Sequence, residues 1–483
     1  MRKGVLISII IVLISLQMAP AANIKEHADV QRTAHLLHLW LEAQRDYEQI
    51  PGLAMAVVYD QQVIFQRGYG YSNLQTKQPT TPETIHSICS ISKLFTSIAV
   101  MQLRDAGKLR LDDAVADHLP WYNIEQIYPD SPPVTIEGLL THSSGLPRES
   151  DYPYWSFPEF QFPSREAMIE KLSQQKTLYP AFKYFQYSNL GLTLAGEIVR
   201  ELSGQPYAEY VNERIIEPLG LKDTRPYLPE DRYGGQLAKG YSAMTREGKR
   251  VPLPIFQAEA ITPAAGFSST VEDLARFASW QMRLLDTNTV EVLHPNTLKE
   301  MHRVHWLDKD WEYSWGLGFS ISRMDNKTFI GHGGSCPGYR SQILIQPDDQ
   351  MGMVFMANAS GINTRMYIRT AHNMMQAAVQ QAVQSTDRGT VTDSSLLVYT
   401  GAYSDKPWGG ETAVFPWKEG LAMVSLPTEN PMDGIVQLKH IADNVFERIR
   451  DDGSAGETII FEKDDAGNVT HMRRHSNRWP KIR

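Results

Sequence analysis

The chain has 483 residues, more than one ordinary core holds, so one large domain with a smaller companion, or two comparable domains, is expected. Its 42% hydrophobic and 21% charged residues argue against a disordered chain and against a multi-span membrane protein. A formal net charge of −8 lacks the dense Lys/Arg face that nucleic-acid binding requires, and the one basic stretch, residues 471–483, reads as a solvated edge strand and tail.

At the N-terminus Arg2 and Lys3 precede an apolar run over residues 5–16, followed by the small residues Ala19-Pro20-Ala21-Ala22. The pattern is that of a secretory signal peptide over residues 1–22, and the run is shorter than the ~20 residues a membrane span needs. The chain is therefore expected to be exported, periplasmic or secreted, with no stable membrane span after cleavage. Residues 52–71 alternate around a turn at Asp60-Gln61 and fit a β-hairpin. From Ser90, apolar residues recur at helical spacing through Leu94, Ile98, Val100, Met101 and Leu103 until Gly107 breaks the pattern. Residues 112–307 mix helical stretches, such as 190–202 and 271–285, with Pro- and Gly-rich loops. Short strands are expected at 315–319, 328–330, 342–345 and 353–356, then a helix over 364–383. These elements predict a large domain over residues 23–383 of α/β (α+β) class, an antiparallel sheet flanked by helices with a helical insertion. A Ser-, Thr- and Asp-rich linker (384–395) leads to a small C-terminal all-β, barrel-like domain (396–483), with strand-like runs at 412–415, 458–461 and 469–472.

Three motifs carry chemistry. Ser90-Ile91-Ser92-Lys93 sets a hydroxyl at a helix start and an ammonium one turn on, where a desolvated lysine can take the serine proton. Ser173-Gln174-Gln175-Lys176 has the same spacing in a polar stretch, so spacing alone does not choose. Tyr187-Ser188-Asn189 offers a phenol and an amide just before a helix; a phenol near an ammonium is expected to lose its proton more readily and to shuttle it. Tyr71-Ser72-Asn73 and Tyr210-Val211-Asn212 match that pattern too. Gly331-His332-Gly333-Gly334-Ser335 follows an apolar strand run; its glycines would let a substrate backbone approach, or simply form a turn around a satisfied histidine. The two cysteines, Cys89 and Cys336, flank the first and third motifs. Read by themselves they either bridge in an oxidising compartment or sit as small buried side chains.

Together, in this order, the motifs resemble the serine β-lactamase and penicillin-binding superfamily, and the Tyr of the middle motif resembles its class C branch. Leu139-Leu140-Thr141-His142-Ser143-Ser144-Gly145-Leu146, Glu217-Pro218-Leu219-Gly220-Leu221 and Pro263-Ala264-Ala265-Gly266-Phe267-Ser268-Ser269 are similar to segments of that branch, and the resemblance runs over residues 48–384. It implies Ser90 as nucleophile, Lys93 and Tyr187 as its proton-handling partners, and an oxyanion site of Ser90 and Ser335 backbone N–H groups. It assigns Asn189, His332 and Gly334 to the substrate-binding wall. No metal or cofactor is implied, and neither His-Glu-x-x-His nor paired-Cys spacing occurs. If Ser90 and Ser335 share one oxyanion site, Cys89 and Cys336 become neighbours; a bridge there resembles the active-site disulfide of some class A carbapenemases.

One departure bears on substrate. His332-Gly333-Gly334 stands where β-lactamases carry Lys-Thr-Gly, and resembles peptidases, D-aminopeptidases and esterases of the superfamily. The loss of a permanent cation disfavours dedicated β-lactam hydrolysis, unless a neighbour such as Arg340 takes the role. The expected function is acyl-enzyme hydrolysis of a small-molecule or peptide substrate, first of D-amino-acid or cell-wall-type amides. Ester or β-lactam hydrolysis, or a penicillin-binding sensor without turnover, are the competing readings. The C-terminal module resembles the lipocalin-like barrels attached to some of these peptidases.

Overall fold

The computed structural model describes residues 24–324, 326–385 and 392–483. The expected signal peptide, residues 1–22, and residues 386–391 of the expected linker lie outside them. In chain order, helix α1 (Ala28–Tyr47) leads into the hairpin β1 (Gly52–Tyr59) and β2 (Gln62–Asn73), edged by β3 (Gln78–Pro79). After β4 (His86–Ser87), a single 3-10 turn over Cys89–Ile91 runs into α2 (Ser92–Asp105). The insertion holds α3 (Val115–His118), α4 (Ile136–Leu140), α5 (Arg165–Leu172), α6 (Asn189–Ser203), α7 (Tyr207–Val211), α8 (Thr262–Ala265), β5 (Ser268–Ser269), α9 (Val271–Leu285) and α10 (Pro295–Met301). Then come β6 (Trp306–Leu307), β7 (Ser314–Trp315), β8 (Ser320–Met324), β9 (Lys327–Cys336), β10 (Tyr339–Gln346), β11 (Met351–Ala357) and α11 (Thr364–Gln384).

Nine strands form one antiparallel sheet in the order β3-β2-β1-β11-β10-β9-β8-β7-β6, so the two ends of the domain meet where β1 pairs with β11. Both faces of β1 are covered, and its alternation shows it: Ala54, Ala56 and Val58 pack into the core beneath α2, α6 and α9, while Leu53, Met55 and Val57 pack beneath α1 and α11. The small sheet β4-β5 pins the segment ahead of Ser90 to the segment following α8. The expected strand at 315–319 is instead mostly the turn between β7 and β8, where Gly318 takes a left-handed backbone conformation (φ 86°).

The C-terminal residues form a second, eight-stranded antiparallel sheet: β12 (Gly401–Ser404), β13 (Glu411–Trp417), β14 (Gly420–Leu426), β15 (Val436–Ala442), β16 (Val445–Ile449), β17 (Ala455–Lys463), β18 (Val469–Arg474) and β19 (Asn477–Pro480). The Tyr403–Lys481 bridge and the Ile482 N–H donated to Ala402 O (2.8 Å) bring its first and last strands together, so the sheet is nearly closed into a barrel. The barrel seats on α1: the Trp40 indole N–H and the Gln44 amide both donate to Thr428 O, at 2.7 and 2.9 Å, and Phe415 and Val424 join the core beneath α1. The basic stretch at the C-terminus is matched by acids, with Arg474 on Glu457, Arg478 on Glu462, and Arg483 on Glu42 and Glu411.

Candidate active site

The segment carrying Ser90 is held from several sides. Ser92, buried beside it, donates its hydroxyl to Cys89 O (2.5 Å) and accepts the Phe267 N–H (3.0 Å), which closes the turn onto the loop after α8. Ile88 O accepts the Ser341 hydroxyl at 2.9 Å. Cys89 itself adopts φ 51°, a conformation that costs a non-glycine residue energy and survives only where its surroundings fix it. Here the fixing element includes a disulfide to Cys336, with Cα atoms 5.8 Å apart. The bridge ties the residue before Ser90 to the end of β9.

Lys93 lies one turn beyond Ser90 and is wholly buried. Its Nζ sits 3.2 Å from Ser90 Oγ, 2.8 Å from Asn189 Oδ1 and 2.7 Å from Ala264 O. Burial holds its ammonium well below the usual lysine range; the charge of Glu149 opposes that shift and that of Arg148 adds to it. Asn189 opens α6, whose start is capped by Ser188: its hydroxyl accepts the Gly191 N–H (2.8 Å) and donates to Pro147 O (2.6 Å). The Asn189 amide nitrogen donates to both oxygens of Glu149, each at 2.9 Å. Glu149 also accepts the Tyr154 hydroxyl and pairs with Arg148 Nε at 3.1 Å. Sequence reasoning missed Glu149, because a carboxylate forty positions from its partner has no spacing that announces it.

Tyr187 completes the group. Its hydroxyl interacts with Ser90, and its ring lies under Lys93 Nζ (4.9 Å to the centroid) and Arg148 (5.0 Å). The expectation that the neighbouring ammonium would ease the phenol's proton loss is overturned. Burial raises the Tyr187 pKa, and a lysine that is itself pushed toward neutrality supplies little positive charge. His142 packs on Tyr187 with ring centroids 4.2 Å apart, and its Nδ1 accepts the Ser188 N–H at 3.2 Å. Trp315 fills the angle between His142 and His332, at 5.1 and 5.5 Å.

The third motif lies inside β9 rather than in a turn. His332, 3% exposed, turns its Nδ1 to Gly333 O at 2.7 Å; a carbonyl only accepts, so Nδ1 carries the proton and Nε2 presents a lone pair, buried without a protein partner. Burial, with Lys93 nearby, lowers the His332 pKa to about 3, so the ring is neutral at any physiological pH. Gly334 is required by packing: an added Cβ would collide with Ile88 O and the Ser341 hydroxyl. The close approach that this glycine permits is therefore of the Ser90 segment, not of a substrate backbone. Ser335 is exposed at the end of the strand and receives a hydrogen bond from the Arg340 guanidinium of β10.

The look-alike motifs fall elsewhere. Ser173 caps the end of α5, Asn73 of β2 donates to Gly234 O, and Tyr210 lies in α7. Among the described residues, no three His, Cys, Asp or Glu side chains converge as a metal site would require. The arrangement can present one serine hydroxyl to a buried amine and a phenol beside the end of a strand.

Residues 39–374 match the protein-family description "Beta-lactamase". The chain is 25% identical to beta-lactamase-like protein 2 of Dictyostelium discoideum, over 90% of this chain and 75% of the relative. It is similar in fold to an octameric penicillin-binding protein homologue from Pyrococcus abyssi (TM-score 0.62, 24% identity, 92% of this chain and 99% of the other). It is also similar in fold to a D-stereospecific amidohydrolase from Streptomyces (TM-score 0.57, 20% identity, 71% of this chain and 97% of the other).

Proposed function

Because the chain belongs to the beta-lactamase family, whose fold is that of serine hydrolases, we propose that it is an exported amide hydrolase working through an acyl-enzyme on Ser90, with D-amino-acid or cell-wall-type peptides as its substrates. One observation carries the mechanism. Asn189 Oδ1 and Ala264 O are acceptors only, so they take the two hydrogens of a neutral Lys93 amine and leave its lone pair for the Ser90 hydroxyl, 3.2 Å away. Ser90 Oγ attacks the carbonyl carbon as its proton passes to Lys93, and the backbone N–H groups of Ser90 and Ser335 hold the oxyanion. The C–N bond then breaks, and the departing amine takes a proton from the Tyr187 hydroxyl, which Lys93 replenishes. Water attacks the ester by the same route in reverse: its proton goes to Lys93 through Tyr187, and Ser90 is released with its proton restored. The buried His332 ring packs beside Tyr187, with ring centroids 6.2 Å apart, and orients the phenol, and Gly334 keeps β9 against the Ser90 segment.

The neutral His332 offers a β-lactam carboxylate no cation at its own position, which argues against β-lactams as the main substrate and leaves that role to the Arg340 guanidinium beside Ser335. Export is supported by the Cys89–Cys336 bridge, and among the described residues no helix is long and apolar enough to cross a membrane. The C-terminal barrel is read as a separate, lipocalin-like module over residues 396–483. The test is a panel of D-amino-acid amides, short acyl esters and a chromogenic cephalosporin on the purified protein. Highest kcat/KM on amides is expected. A cephalosporin preference, or acylation without turnover on every compound, overturns the amidase reading.

A further inference from the structure

Resting on the acyl-enzyme reading above, we infer that Glu149 is a positioning residue of this site: its carboxylate turns the Asn189 amide so that the oxygen faces Lys93, and it supplies the negative charge opposite that buried amine.

An asparagine amide has two ends of nearly equal shape and opposite hydrogen-bonding sense. At Asn189 the choice is forced. Both Glu149 oxygens lie 2.9 Å from Nδ2, and an ionised carboxylate only accepts. The flipped amide would set its carbonyl oxygen against that carboxylate and its NH2 against Lys93, losing the 2.8 Å contact that takes one of the lysine's hydrogens. Without this acceptor, the lone pair of Lys93 is no longer aimed at Ser90 by its own bonding. Glu149 is fixed in turn. Tyr154, fully buried, donates to it, Arg148 pairs with it, and the Arg148 and Pro147 carbonyls accept the Asn189 N–H (2.8 Å) and the Ser188 hydroxyl (2.6 Å). The carboxylate and the start of α6 therefore move as one piece.

The charge acts on the same amine. Lys93 is surrounded by Ser90 from its own segment, by Tyr187 and Asn189 at the start of α6, by Ala264 O of α8, by His142 after α4, by His332 of β9, and by Arg148 and Glu149. Burial keeps both histidines neutral, so Arg148 and Glu149 are the permanent charges, and they pull Lys93 in opposite directions. The plainer account is that the Arg148–Glu149 pair only holds its loop in shape. That account lets a Glu149 variant lower the rate, but gives no reason for the pH dependence to move.

The two are separated by the pH profile of kcat/KM on the best amide or ester, from about pH 4 to about pH 9. Glu149→Gln keeps an acceptor for Asn189 and removes the charge. Lys93 then loses its proton more easily, and the acid limb is expected about one pH unit lower. Glu149→Ala removes the acceptor as well and is expected to lower kcat by about tenfold to a hundredfold, with an unchanged melting profile confirming the fold. An acid limb that stays in place in Glu149→Gln, or moves upward, while Ser90→Ala is inactive, overturns the inference and leaves the acyl-enzyme reading standing. Turnover retained by Ser90→Ala overturns that reading itself.

Discussion

Gly334 of β9 packs against the carbonyl of Ile88 with no room for a Cβ between them. The contact sets the distance between the strand that ends at Ser335 and the segment that carries Ser90, and the Cys89–Cys336 bridge closes the same seam covalently. Two elements more than two hundred residues apart in sequence are thereby registered to each other at the oxyanion site proposed above.

Gly334→Ala follows directly. The methyl group must push Ile88, Ser341 or both aside, and overpacking of this kind costs about 1–3 kcal/mol. Because the displaced carbonyl lies two residues before Ser90, the expected loss in kcat/KM is about a hundredfold, larger than the loss of stability alone would give. Urea denaturation alongside steady-state kinetics checks both. Full activity in a folded Gly334→Ala protein would show that the seam does not set the site's geometry.

Tyr187→Phe keeps the ring under Lys93 and Arg148 and deletes only the hydroxyl that interacts with Ser90. Because burial raises the Tyr187 pKa, the hydroxyl is assigned a relay role rather than that of a phenolate base. Its removal is expected to slow turnover by about a hundredfold or more. A loss of less than about tenfold in a folded variant would take Tyr187 out of the proton path.

Buried histidines make stability depend on pH. Burial lowers the pKa of His86 to about 4 and that of His332 to about 3, from an ordinary 6.5. Below pH 6.5 the unfolded chain takes up protons that the folded chain refuses. Their contribution is therefore complete above that pH and is lost as pH falls toward the folded values. Each such histidine gives a slope of up to about 1.4 kcal/mol per pH unit in that window. Denaturation at about pH 7 and about pH 5 should show the fall, and a folded His86→Asn variant should show a smaller one, His332 remaining. Equal stability at both pH values would contradict the buried, neutral state.

The sequence carried much of this because its strongest signals are local. Helical spacing put Lys93 on the face of Ser90, and the apolar period over 271–285 matches α9 residue for residue. Other features depend on contacts no local pattern encodes. Ser173 and Tyr71 satisfy the same motif spacings as Ser90 and Tyr187, and only the tertiary fold excludes them. Helix α1 carries no motif that marks its role, although its buried Trp40 and Leu41 share one core with the sheet and the barrel. Gly334 was legible as a place of close approach, but its neighbour proved to be the protein's own backbone. The direction of the Tyr187 pKa is not legible in the sequence, because burial acts on Lys93 as well as on the phenol and weakens the charge that would favour the phenolate.

Covalent labelling by a serine-directed phosphonate tests the central claim most directly. The wild-type protein should be modified once, on the peptide containing Ser90, and Ser90→Ala should not react, while Ser173→Ala labels as the wild type does. Ser90 is the hydroxyl bonded to the buried amine of Lys93 and set beside the phenol of Tyr187, whereas Ser173 ends a surface helix with its hydroxyl on Glu170 O. Labelling of Ser90→Ala at the wild-type level would contradict the account.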